Sequence, residues 1–137
     1  MTSSITVVVK HGGNEYSARH MTVKKTFLGY EDHGILTFNL DCEGDGYGQG
    51  VGGIALDGAP SQAGGPRTPQ ASGLALVTEV IKVLGADSWE GILGKQILII
   101  SDNTGRSAGI ANPLTGKVLV FSEFLKESRQ AADESSR

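Results

Sequence analysis

The chain has 137 residues, with 12 Lys or Arg against 15 Asp or Glu, and no segment of it is strongly basic, which removes the electrostatic footprint of a duplex-binding protein. A lone cysteine excludes a disulfide framework and a multi-cysteine metal cage, while 39% hydrophobic and 20% charged residues exclude wholesale disorder. The longest aliphatic run, Ile97–Ile100, is far shorter than the ~20 residues of a membrane helix, and Met1-Thr2-Ser3-Ser4-Ile5 has no basic segment before an apolar one, so a cytoplasmic protein is expected.

Ile5–Val9 is β-rich and runs into the turn cluster His11-Gly12-Gly13-Asn14. Tyr16–Phe27 predicts a second strand, with room for a bulge, pairing back on the first. Gly29-Tyr30-Glu31-Asp32-His33-Gly34 predicts a tight polar loop. After it Ile35–Leu40 alternates, with Leu36, Phe38 and Leu40 directed at the core. Val51–Leu56 predicts a fourth strand loosened by glycine. Ten of the 20 glycines fall within residues 44–73, and Gly58–Ser72 holds three of the four prolines, so residues 58–72 are expected as a mobile loop.

Ser72 is the expected N-cap of a helix to about Leu84, whose stripe Leu74, Val77, Ile81 and Leu84 should lie on Leu36, Phe38 and Leu40. Gly85 suits its C′ position, and Trp89, Ile92 and Leu93 are expected to plug the edge between helix and sheet. Lys95–Ile100, Ala108–Ala111 and Lys117–Phe121 predict three more strands, joined by Asp102-Asn103-Thr104-Gly105 and Asn112-Pro113-Leu114-Thr115-Gly116, both rich in turn residues. Glu123–Lys126 starts like a helix, and residues 126–137 read as a polar tail. The fold class is therefore α+β, an antiparallel sheet with one principal helix packed on one face, in a single domain over residues 1–125.

Three segments invite a chemical reading. Asp41, Glu43 and Asp45 before Gly46 copy the first half of a calcium loop, but the twelfth position is Gly52 rather than a bidentate Glu, and the lead-in alternates like a strand. Glu31, Asp32 and His33, with His20 or Asp41 across the sheet, contain metal-ligand chemistry at no recognised ligand spacing. Gly48, Gly50 and Gly53 have Gly-x-Gly-x-x-Gly offsets, yet a strand continues where a nucleotide site needs a helix. Cys42 has no basic neighbour in sequence, no Gly-x-Ser-x-Gly elbow is present, and no cofactor motif or catalytic set emerges. The ionisable loop and the glycine ribbon instead predict a binding surface of Tyr30, Glu31, Asp32, His33, Tyr47, Gly48, Gln49, Gly50, Gly52 and Gly53, where a ligand or partner chain approaches the backbone closely.

Phe27-Leu28-Gly29-Tyr30-Glu31-Asp32-His33-Gly34-Ile35-Leu36-Thr37 resembles a family of small tailed-phage and prophage proteins. Gly48-Gln49-Gly50-Val51-Gly52-Gly53 with Leu56-Asp57, then Val83-Leu84-Gly85-Ala86-Asp87-Ser88-Trp89-Glu90, then Leu93-Gly94-Lys95 continue the resemblance over about residues 20–100. Ile54 stands where that family has an aromatic, residues 58–72 are richer in Gly and Pro, and the C-terminal third matches poorly. The resemblance implies a phage-encoded accessory protein in the cytoplasm of the infected bacterial host, and it transfers no catalytic residue. By analogy of class it implies a binder of a host or defence-system protein or of a small ligand, and self-association into a homo-oligomer is expected with it. Two other readings compete: a small metal-dependent enzyme built on Glu31, Asp32 and His33, and a single-stranded nucleic-acid binder using Trp89 and Leu93-Gly94-Lys95.

Overall fold

Gly12 and Gly13 both take positive φ, 59° and 81°, which makes the two-residue turn joining β1 (Val7–His11) to β2 (Asn14–Tyr30). The structure, a computed structural model, describes residues 7–44, 46–59 and 62–135; Ile5 and Thr6 of the expected first strand lie outside them, as do Asp45, Pro60 and Ser61. β2 is 17 residues long and organises the sheet. Its first half pairs β1 and its second half pairs β3 (Leu36–Gly44), both along one edge, while β7 (Gln96–Ser101) pairs along the other. The main sheet runs β4-β3-β2-β7-β8-β9, all antiparallel, with β4 (Tyr47–Ala55), β8 (Ser107–Ala111) and β9 (Val118–Val120) completing it. This is the α+β sheet that the alternating segments predict.

The expected bulge in β2 falls between Val23 and Lys25. Before it, both faces of the strand are apolar. Met21 and Val23 join the main core beneath the helices, and Tyr16 and Ala18 join a second cluster with Ile100, Ala111 and Val120. Alternation places that second cluster on the opposite, outer face of the sheet. The sheet coils enough for β4 and β8, separated by three strands, to meet on the inner side, where Gln49 Nε2 donates to Ser107 Oγ at 3.1 Å.

α1 (Ala71–Val83) packs on the inner face, but one turn of its expected pattern is displaced. Ser72 is buried inside the first turn rather than at the N-cap, which is Gln70 with no side-chain capping bond. The reason is contact: a Cβ on Gly73 would collide with the Leu56 carbonyl, so the helix starts pressed against the exit of β4. From Gly73 the buried stripe continues as Leu76, Val77, Val80, Val83 and Leu84, leaving Leu74 68% exposed instead of in the core. Gly85 takes the left-handed C′ conformation that the sequence suggests, at φ 73°. The 3₁₀ turn Glu90–Ile92 buries Ile92 completely and sets Trp89 edge-on to Phe38, while Leu93 stays outside.

Two segments differ from expectation. Where residues 58–72 are expected as a loop, β5 (Asp57–Gly58) pairs with β6 (Thr68–Pro69), and Arg67 donates from Nε and Nη2 to Asp57 Oδ1 at 3.0 and 2.8 Å. The chain after β9 turns at once into α2 (Phe121–Ser135), so most of the expected polar tail is helix. Phe121 and Leu125 anchor that helix in the main core.

The placement of α1 is tested by two aspartates. Val80→Asp, at 0% exposure, is expected to cost roughly 3 kcal/mol or more by stranding a charge in the core, whereas Leu74→Asp should stay within about 0.5–1 kcal/mol. Chemical denaturation of the two variants checks the order, and the reverse order contradicts this packing.

Candidate functional site

The loop between β2 and β3 is folded around one carboxylate. Glu31 Oε1 accepts the backbone N–H of His33 at 2.6 Å and of Ile35 at 3.2 Å, and Glu31 Oε2 lies 3.1 Å from His33 Nδ1. Gly34 closes the turn at φ 77°, donating to the Glu31 carbonyl at 2.9 Å. The His33 bond and these backbone donors hold the Glu31 carboxyl below its ordinary range. Glu31 is therefore a structural residue of the loop, leaving Asp32 and the His33 ring exposed at its tip.

Below this tip the outer face of β2, β3 and β4 forms an open groove of about 520 Å³. Its floor is Phe27, Thr37, Asn39 and Ala55, and its wall is Tyr30, Glu31, Asp32, His33, Ile35 and Gly53. Phe27 is 45% exposed and Tyr30 65%, so two aromatic rings stand free beside two exposed polar side chains. That pairing of a rigid apolar surface with a polar rim is the composition of binding sites. Phe27, Thr37 and Asn39 escape a reading for ionisable groups. Their signal is the odd-numbered phase of β3, opposite to buried Phe38 and Leu40, with Phe27 paired to Asn39.

The groove end is fixed by an ion pair. Asp57 Oδ2 accepts the Leu36 N–H at 3.1 Å while Oδ1 takes Arg67, and the Asp57 side chain is only 2% exposed. Arg67 first, then Leu36, holds the Asp57 carboxyl below the usual carboxylate range, and Asp57 raises the Arg67 guanidinium in turn. Glu31 adds to the field at Arg67, so loop, groove end and the β5–β6 pair are electrostatically joined.

The ten sequence-nominated residues do not form one surface. Tyr30, Glu31, Asp32, His33 and Gly53 line the groove. Gln49 pairs with Cys42 on the inner face, so Tyr47 and Gln49 point away from the groove. Gly48 and Gln49 border a smaller polar concavity of about 230 Å³ with Ser17, Arg19, Ser101 and Gly105. There the Arg19 guanidinium sits 5.3 Å from the Tyr47 ring centroid, and Gln49 Oε1 is buried with no partner among the described residues. Gly50 stands on the exposed edge between the two.

The glycines also divide. Gly52 and Gly53 form the bulge opposite Phe38 and Asn39, at φ 115° and 70°, and a Cβ on Gly52 would lie 2.6 Å from the Phe38 carbonyl oxygen. Those two are required by the fold. Gly48 and Gly50 are not: neither has positive φ, and a Cβ there would meet nothing closer than 3.5 and 3.4 Å.

The other chemical candidates sit apart. Asp41 and Glu43 are on a regular strand, and Asp45 lies outside the described residues. Among the described residues no three His, Cys, Asp or Glu side chains gather closely enough to hold a metal ion. Cys42 is buried, and burial first, then Asp41, pushes its thiol up to about 11, far from a reactive thiolate. Trp89 is half-buried, with Phe38 edge-on to it at 6.0 Å. No helix among the described residues is long and apolar enough to cross a membrane. No protein-family model matches the chain, and neither a curated protein nor a solved structure matches it.

The division of the glycines is directly measurable. Gly52→Ala is expected to destabilise by about 1–3 kcal/mol through strain and the Phe38 clash, while Gly50→Ala should change stability by less than about 1 kcal/mol. Equal effects in thermal melts would remove the distinction.

Proposed function

We propose that the chain is a small phage-encoded accessory protein of the infected bacterial cytoplasm that acts by non-enzymatic binding. In this role it inhibits a host factor or defence system, or sequesters a ligand. The observation that carries the reading is the outer-face groove, where Phe27 and Tyr30 stand exposed beside Asp32 and the His33 ring. Exposed aromatics beside a pre-ordered polar tip give contact area at small entropic cost, which is how binding surfaces concentrate their energy. The same residues make poor catalysts. Glu31 is engaged by the loop and by His33, and the Thr37 hydroxyl is engaged by the Ile54 carbonyl at 2.7 Å.

The test uses tagged protein in phage-infected bacterial cells, followed by titration of the captured partner in purified form. Asp32→Ala, His33→Ala and Phe27→Ser are each expected to weaken binding about tenfold or more while leaving the melting temperature within a few degrees. Capture that is indifferent to all three contradicts the reading. So does stoichiometric zinc in the purified protein that is lost with Asp32 and His33, which would favour the metal-dependent enzyme.

A further inference from the structure

β4 is the terminal strand of the main sheet, and among the described residues it pairs with β3 alone. Its outer edge thus presents a row of main-chain N–H and C=O groups that β3 does not use. Natural edges of this kind are guarded by charge, proline or an early bulge. Tyr47–Val51 contains no charged residue and no proline, and its bulge comes only at Gly52 and Gly53. Edge strand β1, by contrast, carries Lys10, whose side chain is 80% exposed. The stretch of β4 before its bulge is neutral and straight, and it touches β8 through the inward-facing Gln49 without pairing to it.

Gly48 and Gly50, which the fold does not require, lie on the outer face of this edge strand, opposite Glu43 and Asp41 on β3. With no side chain at either position, the backbone of β4 is bare beside the outer face of β3. Asn39 Nδ2 donates to Asp41 Oδ1 at 2.9 Å, and that oxygen lies 3.5 Å from where a Gly50 Cβ would stand. Lys25, paired with Asp41 on the other side, makes no ion pair with it within 4.0 Å among the described residues. The Asp41 carboxylate is therefore turned toward the β4 edge, with exposed Glu43 two residues along the same face and exposed Lys24 and Lys25 on the β2 side.

We propose that β4 is a docking strand to which a partner adds one extended segment carrying Lys or Arg at alternate positions. The inference rests on the reading of the chain as a binder and names the chemistry of what it binds. An added strand lies about 4.8 Å beyond β4, and its alternate side chains share the outer face with Gly48 and Gly50. Lysine or arginine there can cross the bare glycines to reach Asp41 and Glu43, while main-chain hydrogen bonds along Tyr47–Val51 supply register. Side chains at Gly48 and Gly50 would close this path, which accounts for glycine at two positions the backbone leaves free. A second copy of the chain fits poorly. It would bring glycine against glycine on this face, with no cross-strand side-chain pair and carboxylates of one sign on both sides.

The test is fluorescence anisotropy with a short fluorescein-labelled peptide in which Lys alternates with Val and Thr, titrated with the full chain at low salt. Saturable binding is expected, at least about tenfold weaker for the same peptide with Glu in place of Lys. Backbone N-methylation along one edge of the peptide, which keeps every charge, should also weaken it about tenfold, as should Asp41→Asn with Glu43→Gln in the protein. Both substituted side chains are exposed, so circular dichroism should be unchanged. Absence of saturable binding, equal binding of the Lys and Glu peptides, indifference to N-methylation, or indifference to the double substitution overturns the proposal. A dimer of the free protein that protects β4 overturns it as well. The two readings separate: loss of a captured partner with Phe27→Ser but not with the double substitution leaves the groove a binding site and removes only the docking strand, whereas capture indifferent to Phe27→Ser, Asp32→Ala and His33→Ala removes the broader reading.

Discussion

Phe38 is the side chain on which the rest of the structure depends. It is fully buried in the middle of β3, with its ring edge-on to Trp89 at 6.0 Å and to Phe121 at 5.8 Å. One residue thus ties the sheet to the turn after α1 and to the first residue of α2. Its backbone imposes a second constraint. The Phe38 carbonyl and ring crowd Gly52, the partner of Asn39, so only glycine fits there in the bulge of β4. The core and the surface are set by the same residue, since its neighbour Asn39 faces the other way into the groove.

From that constraint the functional surface follows in two parts. Beyond the bulge, β4 bends, Gly53 and Ala55 line the groove, and the Asp57–Arg67 pair fixes the groove end through the Leu36 N–H. A buried ion pair of this kind gives a defined position more than it gives stability, because desolvation offsets much of its attraction. Before the bulge, β4 stays straight and unguarded, with bare backbone at Gly48 and Gly50 beside Asp41. Groove and edge lie on one outer face and are continuous across Asn39, which lines the first and bonds Asp41 in the second.

Much of the fold is legible in the sequence because its strands alternate and its turns carry glycine. The Gly12-Gly13 hairpin, the phase of Leu36, Phe38 and Leu40, and Gly85 after α1 all follow from local chemistry. The start of α1 does not, because it is set by the contact of Gly73 with Leu56, a tertiary fact with no local trace. Nor does the pairing of β5 with β6, since Asp57 and Arg67 find each other across strands of two residues each. The site is half legible. The ionisable loop identifies one wall of the groove, but its floor is Phe27, Thr37 and Asn39, ordinary residues that matter only through register. Treating the glycines of residues 48–53 as one feature hides their split between a bulge the core demands and an edge it does not.

The central claim, that the open edge of β4 receives another chain, is tested most directly by amide hydrogen exchange of the protein alone and with the alternating-lysine peptide in excess. The account predicts that the outward-facing amides among Tyr47–Val51 exchange quickly in the free protein and slow by about tenfold or more in the complex, with β9 at the opposite edge unchanged. Peptide that binds yet leaves the β4 amides as fast as before, or slows β9 equally, would contradict it.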